Sequence, residues 1–184
     1  MINKFKISNP KFHTGYTIFL IVASALSRLI PHPPNFTPIA SIALFGGREL
    51  PKKLSWFVPI CALALSDIFI GFYDLKILVS VYFSFLISVF LGRKLKQNFT
   101  LGKMLGLATL SSAMFFIITN FSVWKFSPMY AKTLEGLGLC YFYALPFFRN
   151  ELTGTIFYTT IIFGTNEIIK IILRRKNYAS KITN

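Results

Sequence analysis

The residues of this 184-residue chain that could contact a ligand are concentrated in three segments. The first segment is PHPPNFTP at residues 31–38, where three prolines before the threonine prevent a helix and give a stiff, extended turn. A stiff turn can hold His32 and Asn35 in fixed directions. We predict that both side chains contact a ligand, although the same turn could simply reverse the chain and leave His32 in solvent.

The second segment is SDIFIGFYD at residues 66–74, and it places Asp67 inside an apolar run. A carboxylate in such a position is costly unless it is paired or faces a polar cavity. Arg28 lies at a similar depth in another apolar run and is the predicted polar partner. A structural ion pair and a substrate contact are both compatible with this pattern.

The third segment, residues 120–151, mixes many aromatic rings with a few polar groups. Asn120, Trp124 and Asn150 are its candidate substrate-binding residues. The rings can form an interfacial belt or wall a pocket for a flat organic ligand. Their concentration in one segment favours the pocket.

Catalytic motifs are missing from the sequence, which has no H-E-x-x-H, no G-x-S-x-G, no P-loop and no paired intramembrane aspartates. We therefore predict that the protein is not an enzyme, and a membrane enzyme acting on a lipid ranks last among the alternatives. Glu167 and Lys170 lie three residues apart near the end of the last apolar run, a spacing that predicts an anchoring ion pair.

The elements that position these residues are predicted to be membrane helices. Hydrophobic residues make up 54% of the chain, far more than a water-soluble domain of this length needs. A hydrocarbon core about 30 Å thick takes roughly 20 helical residues. The predicted spans are residues 16–30, 36–50, 54–72, 75–91, 101–120 and 152–173.

Two of the predicted elements need qualification. The apolar part of the second span ends at Gly46, so this span is expected to be short or tilted. Residues 121–151 are predicted to form a long outer loop in which residues 131–148 make a helix over the outer face. Residues 1–25 have an alternative interpretation as a signal peptide, because a basic start precedes a short apolar run and Ala-Ser-Ala.

The distribution of Lys and Arg orients the spans. Six spans place fifteen of the 20 cationic residues on one side, which the positive-inside rule assigns to the cytoplasm. Residues 1–15 and 174–184 are then cytoplasmic tails, and the three ligand-contacting segments face outward together. The net charge of +14 is explained by this topology, so nucleic acid is not a predicted partner.

Four stretches carry a resemblance to known proteins: RLIPHPPNFTPIASIALFGG at 28–47, SDIFIGF at 66–72, ITNFSVW at 118–124 and ALPFFRNELTGTIFY at 144–158. They resemble a family of uncharacterised bacterial membrane proteins. That family is similar in turn to the S components of energy-coupling factor (ECF) vitamin transporters. The resemblance covers roughly residues 16–173 and implies six helices, cytoplasmic termini and a substrate site closed by the outer loops.

The same resemblance implies partners. Ala23 and Ser27, small residues four apart on the first helix, would dock on an ECF scaffold subunit that works with ATPase subunits, although Ser27 stands where the docking pattern has a second alanine. Some relatives act alone, and among them are cobalamin transporters that ligate cobalt through a cysteine. Cys61 or Cys140 would be a cobalt ligand only if the substrate were a corrinoid.

The sequence therefore predicts an all-α integral membrane protein of the bacterial cytoplasmic membrane, a single domain folded as a compact bundle of about six transmembrane helices. Its predicted role is to bind a vitamin-like micronutrient, as a substrate-binding subunit or a solitary transporter without a cofactor of its own. The rival interpretation is a non-transporting assembly protein whose outer loops contact another membrane subunit.

Overall fold

The computed structural model describes the backbone of residues 10–97 and 99–182 and the side chains of residues 15–97 and 99–172. These residues form six helices and no strand, which confirms the all-helical prediction. The helices are α1 (Pro10–Leu29), α2 (Ile39–Glu49), α3 (Lys52–Ile70), α4 (Leu75–Lys94), α5 (Leu101–Phe126) and α6 (Leu134–Ile182). The outermost parts of the two predicted tails, residues 1–9 and 183–184, lie outside the described residues.

Four of the helices are long and apolar enough to cross a membrane, namely α3, α4, α5 and the part of α6 from Leu134 to Ile172. The apolar part of α1, Gly15–Leu29, is shorter. Large hydrophobic side chains such as Phe19, Phe69 and Phe83 are more than half exposed on the outside of these helices. Such surfaces are those of an integral membrane protein, since lipid replaces water around them.

The second predicted span, residues 36–50, is instead the short helix α2. Its 11 residues rise only about 16 Å, roughly half of a hydrocarbon core. Every residue from Ile39 to Gly47 is buried. A helix that is apolar on all sides can be buried in protein as well as in lipid, and hydropathy alone does not distinguish the two.

The burial of α2 depends on close packing against α4. A Cβ atom added to Gly92 of α4 would overlap the backbone carbonyl of Leu44, and one added to Gly47 of α2 would overlap the carbonyl of Val89. Each glycine therefore allows the backbone of the other helix to approach at a point where no other residue fits. The core around this crossing contains the fully buried side chains of Leu44 and Val89.

The other helices surround α2 in the order α1, α3, α4, α5, α6, each packed against the next. In the described part of the chain, α6 and α1 do not pack against each other, so the ring is open between them. The turn before Pro38 connects α1 to α2 at one end of the bundle, and its Phe36 packs on Tyr158 of α6.

The predicted outer loop, residues 121–151, is largely helical. Helix α5 continues to Phe126. Helix α6 begins at Leu134, inside the predicted helix 131–148, and runs without a break through the predicted last span 152–173. Only residues 127–133 join the two helices. The sequence Arg-Asn-Glu at 149–151 was expected to mark a membrane boundary. In the structure the helix continues through it: the Thr153 hydroxyl donates to the carbonyl of Arg149, and the side chain of Glu151 is buried.

The end of the bundle where α2 finishes carries an ion network, and we call it the network end. Arg48 lies 2.7 Å from Glu167, and Lys170 lies 2.8 Å from Glu49 and 3.4 Å from Glu167. The guanidinium carbon of Arg48 also sits 3.7 Å from the centre of the Phe99 ring. The predicted pairing of Glu167 with Lys170 is confirmed as part of this larger network.

Candidate functional site

The opposite end of the bundle, which we call the cavity end, is organised by the proline-rich turn. Phe36 anchors the turn on α6, with its ring centre 5.5 Å from that of Tyr158 and its atoms against the backbone of Gly154. Asn35 adopts a left-handed backbone with φ of 64°. Asparagine is among the few residues that tolerate this conformation, and such strain is often found at functional sites.

Two joined lobes of open space lie below this turn, of about 220 and 260 Å³. Both lobes are lined by Asn35, Tyr73, Val81, Phe115 and Glu151. The shared lining makes them two parts of one cavity, reached from the proline-rich turn and from the loop between α3 and α4. The combined volume suits a ligand of modest size, since pockets for small molecules are typically roughly 300–1,000 Å³.

The first lobe lies between α4, α5 and α6 and is walled mainly by aromatic rings. Phe116 and Phe148 pack with their centres 4.7 Å apart. Asn120 and Thr119 add polar groups to this wall. The amide nitrogen of Asn120 donates to the carbonyl of Phe116 at 2.8 Å, which leaves its side-chain oxygen and its second N–H able to meet a ligand.

The second lobe lies between α1, α3 and α4 and is bordered by Arg28, His32, Ile39 and Phe85. His32 is held by its own turn, with Nδ1 2.5 Å from the carbonyl oxygen of Ile30. Ile39 and Phe85 belong to a small apolar cluster that forms the floor of the cavity.

Arg28 and Asp67 form an ion pair beside the second lobe, with Nη1 2.6 Å from Oδ1. Asp67 is fully buried, and the Tyr82 hydroxyl donates to its other oxygen at 3.0 Å. The same nitrogen of Arg28 lies 2.5 Å from the Ser66 hydroxyl. The carboxylate of Asp67 is therefore satisfied by protein groups, and the guanidinium of Arg28 is the part of the pair that reaches the cavity.

Tyr73 lies in the loop between α3 and α4 and lines both lobes. Burial raises the pKa of its hydroxyl, the nearby carboxylate of Asp67 raises it further, and Arg28 lowers it. The hydroxyl therefore stays protonated at neutral pH and can donate a hydrogen bond at the mouth of the cavity.

Glu151, like Tyr73, lines the cavity although the sequence did not suggest it. Its side chain is only 2% exposed, yet it lines both lobes. The Thr155 hydroxyl donates to its Oε1 atom at 3.1 Å. Among the described residues no Lys or Arg pairs with it, whereas Asp67 has Arg28.

A buried polar ladder continues from Glu151 along the contact between α6 and α2. The Ser41 hydroxyl donates to the carbonyl of Thr155 at 2.9 Å, and the Thr159 hydroxyl donates to the Ser41 hydroxyl at 2.9 Å. All three hydroxyl-bearing residues are completely buried. The ladder fixes the rotation of α6 about its axis, and this rotation directs Glu151 into the cavity.

The predicted binding residues fall into two groups. His32, Asn35 and Asn120 line the cavity, while Asp67 supports it through Arg28. Trp124 and Asn150 are not in the lining. Trp124 instead donates from Nε1 to the carbonyl of Ala131 at 2.9 Å and so holds the 127–133 loop.

Asn150 precedes Glu151 by one residue, a step of about 100° around a helix, so the two side chains point in different directions. Its backbone carbonyl accepts a hydrogen bond from Thr153. A helical pattern could have indicated Glu151, since it lies three and four residues after Phe148 and Phe147 and shares their face.

The two cysteines and the predicted docking pair lie outside the cavity lining. Cys140 is buried against α5, with its thiol 3.4 Å from the carbonyl of Asn120, and Cys61 is half-buried on α3. Neither thiol is placed to meet a ligand in either lobe. Ala23 and Ser27 are half-buried on α1, and the Ser27 hydroxyl donates to the carbonyl of Ser24 at 2.6 Å.

Comparison with known proteins identifies a family whose function is unknown. The model of a family of unknown function (DUF6580) matches residues 8–178, nearly the whole chain. No curated protein and no solved structure matches the chain.

Proposed function

The chain belongs to DUF6580, a family of unknown function, and we propose that it binds a vitamin-like micronutrient for uptake. The observation that carries this proposal is the two-lobed cavity, which combines aromatic walls with Asn35, Asn120, Arg28 and Glu151. Mostly apolar cavities with a few converging polar groups are typical of small-molecule sites.

The proposed direction of binding is from outside the cell. The excess of Lys and Arg lies beside the network end and the termini, and the positive-inside rule assigns those to the cytoplasm. The cavity end then faces outward in the bacterial cytoplasmic membrane. A ligand would enter between the proline-rich turn and the loop that carries Tyr73.

The chain would either depend on other subunits for the energy of transport or transport its substrate alone. The resemblance to ECF S components supports a substrate-binding subunit that docks on a scaffold through Ala23 and Ser27 of α1, with ATPase subunits on the cytoplasmic side. A solitary transporter is the other form of the same proposal. Both forms need the cavity to bind the substrate, so the cavity is the place to test them.

The first experiment is a search for the ligand. The full chain is purified in lipid nanodiscs, compounds that co-purify are identified by mass spectrometry, and a panel of vitamins is titrated by calorimetry. We expect one small molecule to bind. If nothing binds and a stable protein partner co-purifies instead, the chain is an assembly protein and the proposal fails.

A matched pair of variants ties the binding to the cavity. Asn120→Ala removes a polar group from the lining and should weaken binding about tenfold, the loss of roughly one hydrogen bond. Asn150→Ala alters a residue of the same type outside the lining and should leave binding unchanged. Asn35→Ala also changes a residue of the lining and should lower uptake by cells. If all three variants had equal effects, the ligand would not bind in this cavity.

A further inference from the structure

Glu151 differs from every other acidic residue of the chain. The chain has six Asp and Glu residues. The other five are each paired, capped or exposed: Asp67, Glu49 and Glu167 contact cations, Asp74 accepts two backbone N–H groups at the start of α4, and Glu135 is exposed. Glu151 alone is buried with a single neutral donor, the Thr155 hydroxyl.

An unpaired charge at such a site is unfavourable, because a buried carboxylate loses its hydration without gaining an opposite charge. Among the described residues, Arg28 is the one Lys or Arg that lines the cavity, and it is already engaged by Asp67. Arg28 and Asp67 neutralise each other, so a negative charge on Glu151 would have no cation opposite it in the cavity lining.

The walls next to Glu151 also favour a cation. Phe116 and Phe148 of the first lobe are packed 4.7 Å apart, and Phe115, which lines both lobes, is 5.1 Å from Phe85. Aromatic faces attract cations that lie within about 6 Å of the ring centre. A positive charge at the junction of the lobes would meet both the carboxylate and these rings.

We propose that the ligand of this cavity is a compact organic cation whose positive charge pairs with Glu151 and whose flat or apolar part fills the aromatic lobe. This inference rests on the proposed function and names the chemical class of its substrate. An organic cation fits better than a divalent metal ion, because no group of three or more His, Cys, Asp or Glu side chains converges within the described residues.

Four probes of similar size separate charge from shape. Phenethylammonium is a cation, 2-phenylethanol is neutral, phenylacetate is an anion, and benzyltrimethylammonium carries a permanent positive charge. Calorimetric titration of the full chain in nanodiscs should show both cations binding at least about tenfold more tightly than 2-phenylethanol, with phenylacetate weakest. A compound that co-purifies with the protein should likewise be a cation.

Two variants assign the preference to one side chain. Glu151→Gln keeps the shape of the residue and its bond from Thr155 but removes the charge, so the tenfold preference for cations should disappear. Glu135→Gln makes the same change at the exposed start of α6 and should leave the preference intact. If Glu151→Gln does not fold, the order in which the four probes bind to the unmodified protein still tests whether the cavity prefers cations.

The outcomes separate the two proposals. If 2-phenylethanol binds as tightly as phenethylammonium, or if the co-purifying compound is neutral or anionic, the charge inference is wrong while small-molecule binding stands. The charge inference is also wrong if Glu151→Gln keeps the full preference for cations. If no probe binds and no compound co-purifies, the proposed function itself fails.

Discussion

The two ends of the bundle differ in how completely their charged residues are paired. At the network end, Arg48, Glu49, Glu167 and Lys170 neutralise one another, and aromatic rings pack directly on the guanidinium. At the cavity end, one pair is matched and Glu151 is not, and the rings enclose space. A charged cluster in which each carboxylate has a cation holds helices together, whereas a carboxylate without a cation beside a cavity is suited to a ligand.

Among the variants that compare the two ends, Asp67→Ala should change the free energy of unfolding most. Asp67→Ala leaves the guanidinium of Arg28 without its carboxylate, and breaking a buried pair in this way costs about 3–5 kcal/mol of unfolding free energy. The double variant Arg28→Met with Asp67→Leu removes both charges and should recover most of that loss. Thermal unfolding in detergent measures both, and a double variant as unstable as the single one would show that the pair has a role beyond mutual neutralisation.

The close crossing of α2 and α4 lies between the two ends of the bundle. Gly92→Ala should destabilise the fold by about 3 kcal/mol, because the added methyl group meets the backbone of Leu44, which cannot move aside. Gly106→Ala lies in open space on α5 and should stabilise the fold by about 0.5–1 kcal/mol through helix propensity. Equal effects of the two changes in thermal unfolding would argue against the close crossing.

Opposite signs are expected for two glutamates on α6. Glu151→Gln replaces a buried carboxyl group that has no cationic partner by a neutral amide, and should raise the stability of the ligand-free protein by about 1–2 kcal/mol. Glu167→Gln removes a partner of Arg48 and Lys170 and should lower it by up to about 1 kcal/mol, since the site is partly exposed. If the free energy of unfolding at neutral pH changes in the same direction for both variants, the proposed contrast between the two ends is wrong.

A small effect that depends on salt should come from Lys170. Its side chain is 30% exposed, so Lys170→Met should cost only about 0.5–1 kcal/mol and should lose even that at high salt. Arg48→Met removes a side chain that is 11% exposed and packed on Phe99, and should cost more and depend less on salt. Unfolding at low and high salt checks this order within the network end.

The sequence was informative where an ionisable residue interrupts an apolar run. Arg28 and Asp67 stood out for this reason, and the structure does pair them. Glu151 did not stand out, because it follows Arg149 and Asn150 in a polar triplet that looked like a membrane boundary. The direction of each side chain depends on the rotation of α6, which is fixed by Ser41, more than one hundred residues away in the chain.

Hydropathy was similarly limited for α2. It identified an apolar stretch with an early end at Gly46, but the choice between lipid and protein as its surroundings depends on the glycines of two helices. Trp124 was expected at the ligand because it lies in an aromatic segment. It is instead used to close the 127–133 loop, a local hydrogen bond that aromatic composition does not reveal.

The central position of α2 has a consequence for biosynthesis. The helix leaves the ribosome second, yet its bond from Ser41 to the carbonyl of Thr155 joins residues 114 positions apart. Helix α2 cannot reach its native surroundings until α6 has been synthesised, and it is too short to wait as an independent transmembrane span. Nascent chains truncated before residue 155 should therefore hold α2 in a non-native location and be preferred substrates for membrane quality-control proteases.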